Sequence, residues 1–322
     1  MKNRHAFTLV ELLTVIVIIG ILAAIITVAV AGAFRASQMG RIGVQMSQIA
    51  MALDRYNSEF GEFPPDMFDD EALVRHVRKR WPRLNLAAIV VNPGDPIPLQ
   101  AERIRSAINA TYIARGYTTV DFTLSEVGAL ALWLGGFPNS DGILSGFNAD
   151  PAHPFAFGDT FDGKVFIDLE LGEGKNVRLF PVGGGTNPPT VPVIGNEIRG
   201  TFVPIVYFRG RAGGGPDAYL TENRSGTGTN RPERIVKHFN FTAHGFGICV
   251  PYIESGNLED RESIRWKNPT TYQLIHPGLD GSFGETEPRI RRVIRTGDGI
   301  SLADLDNLTN FSDNRELRSI LP

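Results

Sequence analysis

Between Glu11 and Arg35 the sequence runs for 23 residues without a charged side chain. As a helix rising about 1.5 Å per residue, residues 12–34 reach about 35 Å, enough to cross a bilayer. No soluble domain of this size needs such a segment, so part of the chain serves something outside its own core. Lys2 and Arg4 precede the run, which by the positive-inside tendency keeps that end cytoplasmic, with Arg35 and Arg41 on the other side weakening the asymmetry. Ala29, Ala31 and Ala33 imitate the end of a conventional secretory signal, but the run is too long for one and its helical pattern continues without a break.

Beyond the run, Met39, Ile42, Met46, Ile49, Leu53, Tyr56 and Phe60 recur at alternating steps of three and four. That spacing predicts a helix with one apolar face, directed at the chain's own following domain rather than at a coiled-coil partner, because only about three heptads are present. Gly61 and Pro64-Pro65 end it. Taken over residues 7–60, the helix is about 80 Å long.

Helices are predicted at residues 69–80, 99–115 and 125–134, the last capped by Ser125. Strands are predicted at residues 164–170, 201–208, 246–253, 271–275 and 289–294, and loops at 181–204 and 210–231. Helices first and strands later give an α+β domain over residues 61–322 with an antiparallel sheet. With 32 basic and 35 acidic residues and no long basic run, nucleic acid is not an expected partner. The single cysteine, Cys249, excludes an internal disulfide and reads as a small buried residue.

Glu11 stands alone at the edge of the apolar run, where a carboxylate is costly without a positive partner. A cut between Ala6 and Phe7 would supply one, since the new amino group lies one helical turn before Glu11 or reaches it from an adjacent subunit. The basic leader of residues 1–6, the order Phe7-Thr8-Leu9-Val10-Glu11 and the long apolar helix resemble the type IV prepilin family. The resemblance implies removal of the leader by prepilin peptidase, N-methylation of Phe7 and neutralisation of its amine by Glu11 during assembly. Ala6 replaces the usual glycine before the cut, and Val28 stands where many members carry a helix-breaking proline, which leaves local melting of the span in a filament to Gly20 and Gly32.

Within that family, residues 52–56 and 61–65 are similar to the end of the long helix in major pseudopilins of type II secretion. Residues 272–275, 278–281 and 306–311 resemble their last strand and closing loop. The stretch between is much larger than such a subunit carries. The resemblance implies calcium in the C-terminal loop, for which Asp304 and Asp306, with Asp298 and Asn307 nearby, offer oxygen ligands; the bland alternative is a solvated acidic loop with Asp304 capping a turn. It also implies other pseudopilin subunits, an inner-membrane assembly platform and membrane lipid as partners, with the domain on the periplasmic side.

The other chemistry-bearing residues read as structural. His238, His244 and Cys249 lack further ligands for zinc, and Gly183–185 and Gly213–215 lack the ending of a phosphate loop. Arg75, Arg78, Lys79 and Arg80 read as a solvated helix face beside Trp81. The expected role is thus a filament subunit that needs no cofactor. A membrane-tethered adhesin or ligand-binding protein is the alternative, and an anchored enzyme finds no reactive constellation in the spacing.

Overall fold

The computed structural model describes residues 9–85, 94–122, 126–182, 186–222, 234–257, 260–284 and 293–321. Helix α1 spans Leu9–Phe60, and no proline interrupts its 52 residues. It stops where Gly61 turns left-handed, at φ 69°, with its N–H donated back to Asn57 O at 2.7 Å. The apolar stripe faces the domain as its spacing predicts: Ile42, Met46, Ile49, Leu53 and Tyr56 are all buried, with Met39 and Phe60 half-buried beside them. Burial of each such side chain contributes about 1.5–3 kcal/mol, so this face holds α1 firmly to the domain.

Helix α2 spans Asp70–Arg80, with the Asp69 carboxylate accepting from Ala72 N as N-cap. Helices α3, Ile97–Ala114, and α4, Ala129–Gly135, follow. The predicted Ser125 cap lies outside the described residues, and α4 begins later than expected because residues 126–128 form a turn. Every residue of α4 is buried. Trp81, Tyr112, Trp133, Phe137, Phe147 and Phe155 meet in an aromatic cluster around α2, α3 and α4.

Twelve short strands follow among the described residues: β1 Val177–Pro181, β2 Thr190–Ile198, β3 Thr201–Pro204, β4 Val206–Arg209, β5 Leu220–Glu222 and β6 Arg234–Val236. The remainder are β7 Phe239–Asn240, β8 Ile248–Cys249, β9 Ile253–Asn257, β10 Asp260–Trp266, β11 Tyr272–His276 and β12 Leu308–Thr309. They form small antiparallel sheets in the orders β1-β2-β3 and β12-β11-β4 and three two-stranded pairs. The α+β class with antiparallel pairing is as expected, but the sheet is divided.

Several strand predictions need correction. Residues 164–170 form no strand; only Glu170 makes an isolated bridge, to Ile143. The loop predicted at 181–204 is mostly the β2–β3 hairpin. Pro192 is tolerated there because β2 pairs with β1 through residues 190–194 and with β3 through residues 195–198, leaving the proline one open side. The strand predicted at 201–208 is two, in different sheets, split after Pro204. Residues 246–253 likewise divide between β8 and β9, and β10 was not foreseen. Of the strand predicted at 289–294, residues 289–292 lie outside the described residues, and Val293 bridges to Ile253.

Candidate functional site

Ala6 and Phe7 lie outside the described residues. Glu11 lies in the first described turn of α1. From it the helix presents apolar side chains on all sides: every described large one from Leu9 to Phe34 is at least 45% exposed. This is the described chain's one helix long and apolar enough to cross a membrane. An unburied surface of that size in water marks a segment made for lipid or for other subunits.

In the C-terminal loop, Asp304 and Asp306 are both buried. Asp304 sits in a 3-10 turn, Leu302–Asp306, and its Oδ2 accepts from Ser301 N at 2.8 Å and Ser301 Oγ at 2.7 Å. Its Oδ1 accepts from Tyr252 Oη and Asn307 Nδ2. Asp304 therefore clamps the turn with both oxygens. Asp306 Oδ2 accepts from Leu279 N at 2.9 Å and Asp280 N at 3.2 Å, tying the loop to the turn after β11. That approach depends on Gly278, whose φ is 66° and at which a Cβ would fall 2.4 Å from Asp306 Cγ.

Asp306 Oδ1 and Asn307 Oδ1 are buried and accept no hydrogen bond. Burial, with the Asp306 and Asp304 carboxylates nearby, pushes the Asp280 carboxyl up to about 6. This corner is thus rich in oxygen acceptors and short of positive charge. Among the described residues no group of three or more His, Cys, Asp or Glu side chains is arranged to hold a metal ion, so any ion here would rely on amide and main-chain oxygens as well.

A second polar constellation was not read from the sequence. At the end of α1, Tyr56 Oη meets His76 Nε2 at 2.7 Å, and His76 Nδ1 meets Glu62 Oε1 at 2.9 Å. Glu62 accepts only, so the imidazole carries its proton on Nδ1 and Nε2 accepts from the tyrosine. Arg80 Nη1 in turn donates to Tyr56 Oη at 3.0 Å, and Arg209 Nη2 donates to Glu62 Oε2 at 3.0 Å. Burial lowers His76 to about 4 and raises Tyr56 to about 12, so both stay neutral near pH 7. The circuit joins α1, α2 and β4 and acts as a clasp between them.

Arg80 corrects the reading of its helix face. Its side chain is 2% exposed, with the guanidinium over the rings of Tyr56, Phe60, Trp81 and Phe147 at 4.4–5.5 Å. Arg75 and Lys79 of the same patch are about half exposed near Glu62. Lys237 is also buried, bonded to Asp66 at 2.7 Å and Arg209 O at 2.8 Å. His238 bonds to Val236 O, His244 lies edge-on to Phe180, and Cys249 is buried on β8, three separate environments. Gly213, Gly214 and Gly215 all take positive φ, a glycine turn in the stretch predicted as loop.

No curated protein and no solved structure matches this chain. The family comparison does match its beginning: residues 1–27, which include Ala6, Phe7 and Glu11, carry the prokaryotic N-terminal methylation motif, the prepilin cleavage motif of type IV pilins and pseudopilins.

Proposed function

We propose that the chain is made as a prepilin, cut between Ala6 and Phe7 by prepilin peptidase, and assembled as a structural subunit of a type II secretion or type IV pilus-like filament. The observation that carries this reading is the continuity of the methylation motif with α1, whose first half is unburied and whose second half is fixed to a folded domain. Before assembly, residues 12–34 hold the subunit in the inner membrane, with the domain in the periplasm. In the filament the same apolar surface is covered by neighbouring subunits, and heterologous contacts of this kind propagate without closing. Glu11 then pairs with the methylated amine of Phe7. Mass spectrometry of the N-terminal peptide checks the cut, and the expected product begins at N-methyl-Phe7. Glu11→Ala is expected to leave cleavage intact and to lower incorporation into mixed filaments at least tenfold. A retained leader, or undiminished incorporation, would overturn the respective step.

Calcium is proposed for the C-terminal loop, with Asp306 and Asn307 supplying the ligands and Asp304 holding the turn that presents them. The support is the pair of buried acceptors without hydrogens to accept. Binding only the folded state raises its stability by mass action. Millimolar calcium is therefore expected to raise the melting temperature by a few degrees over chelator, and Asp306→Ala to remove the difference.

A further inference from the structure

The long helix fixes the level of the head domain above the bilayer, and one end of that domain is brought down to the boundary. Phe34 and Arg35 close the uncharged run, so Arg35 stands where a membrane span meets the headgroups. Arg35 Nη2 lies 3.3 Å from Glu316 Oε1, and the other oxygen of Glu316 takes Arg318 Nε at 2.6 Å. The C-terminal segment is therefore held at the same level as Arg35.

That segment is built to stay there. Glu316 bridges to Leu308, Leu317 is fully buried, and its N–H donates to Asn307 O at 2.8 Å. The turn Leu302–Asp306 packs against the turn Leu317–Ser319 and is itself clamped by Asp304. On this doubly fixed turn Leu302 is 87% exposed, more than any other large apolar side chain among the described residues. The segment packed against this turn carries Arg315 and Arg318, both exposed, and holds Arg35. Glu316, partly covered, is one carboxylate shared by the guanidiniums of Arg35 and Arg318; Arg315 is a third exposed cation, and Asp298 and Asp313 are exposed anions. A fixed, exposed apolar side chain on a turn packed against an arginine-bearing segment beside a membrane span has the chemistry of an interfacial contact.

We propose that this end of the domain, formed by Leu302, Arg315, Arg318 and Arg35, docks on the bilayer surface before assembly, the arginines on anionic lipid phosphates and Leu302 inserted among the headgroups. The proposal rests on the reading of residues 12–34 as a membrane span, and it adds a second, releasable attachment that extraction into a filament must break.

The test uses the full chain in nanodiscs, with Leu302→Trp and, separately, Ile19→Trp as reporters. Trp81, Trp133 and Trp266 are buried and supply a constant background. In discs of phosphatidylglycerol with nitroxide near the headgroup, Leu302→Trp is expected to lose at least half of its added fluorescence. Uncharged phosphatidylcholine discs, or the pair Arg315→Glu and Arg318→Glu, are expected to reduce that quenching at least twofold. Ile19→Trp, probed with mid-chain quencher, reports the span alone. Quenching at position 19 without quenching at 302 overturns the docking face and leaves the span standing; no quenching at 19 overturns the span and the docking face with it. Protection at 302 that follows the number of copies per disc rather than lipid charge assigns the face to a second copy and also overturns the proposal.

Discussion

Along residues 9–34 of α1 every described large apolar side chain is open to its surroundings, whereas along residues 42–56 Ile42, Met46, Ile49, Leu53 and Tyr56 are shut inside the domain. The backbone is one helix throughout. What changes is the solvent each half is made for. The first half is apolar all round and offers no preferred face, which suits lipid or a ring of neighbours. The second buries one apolar face and puts Arg41, Gln48, Asp54 and Arg55 outside, together with Val44 and Met51. The comparison teaches that folding of the domain and anchoring of the chain draw on separate residues of a single element.

The largest test of this separation is a matched pair of truncations. Leu53→Ala leaves a cavity in the core and is expected to lower stability by about 2–5 kcal/mol in a chemical denaturation of the detergent-solubilised chain. Ile18→Ala, in the open half, is expected to leave the domain's transition unmoved. Equal losses would show the two halves to be one cooperative unit.

Acid gives an intermediate effect on the junction between α1 and the domain. His76 is held neutral, with its pKa lowered from 6.5 to about 4 chiefly by burial; Arg80 and Arg209 face it as cations, and hydrogen-bonded Glu62 pulls the other way. Protonating Nε2 would also leave the Tyr56 hydroxyl hydrogen facing only donors. Between pH 6.5 and 4 the unfolded chain therefore binds more protons than the folded one. The contribution is fully present above about pH 6.5 and is lost as pH falls towards 4, on the order of 3 kcal/mol in all. Buried His276, lowered to about 3, adds a similar slope. His76→Gln isolates the share of the clasp: its stability is expected to fall less steeply than wild type between pH 7 and 4.5. Parallel curves would remove His76 from the account.

The smallest expected effect lies where the halves meet. Arg35 and Glu316 form an ion pair whose side chains are 53% and 23% exposed, and water screens most of its energy. Arg35→Ala is expected to cost about 0.2–1 kcal/mol, read as a small shift in the denaturation midpoint. A larger loss would make the junction part of the core.

The long helix was legible because a 23-residue uncharged run and a stripe at steps of three and four are patterns that local sequence carries by itself. The motif at residues 1–11 was legible for the same reason. The strands were harder. In β10, Arg261, Glu262 and Arg265 hide a ladder with β9, and in β2 Pro192 reads as a breaker until its open side is known. The clasp was invisible because a turn separates Tyr56 from His76 and Arg209 comes from a distant stretch, and nothing near Arg80 announces the four rings that enclose it. Asp304 and Asp306 could be named as oxygen donors, but which of their oxygens were already engaged depended on Ser301, Tyr252 and Gly278.

The absence of proline from α1 has a mechanical consequence. A helix kinked or melted near its middle yields when pulled, and the joint absorbs part of any displacement. Here no proline provides such a joint over 52 residues, about 78 Å, so any yielding under a pull falls to Gly20 and Gly32, and what is transmitted arrives at Gly61. Its load path then runs through the contacts of Tyr56 with His76 and Arg80 into α2, and through Glu62 and Arg209 into β4. The helix is thus a strut fixed at its head, and compliance along it is left to the two glycines of its apolar half.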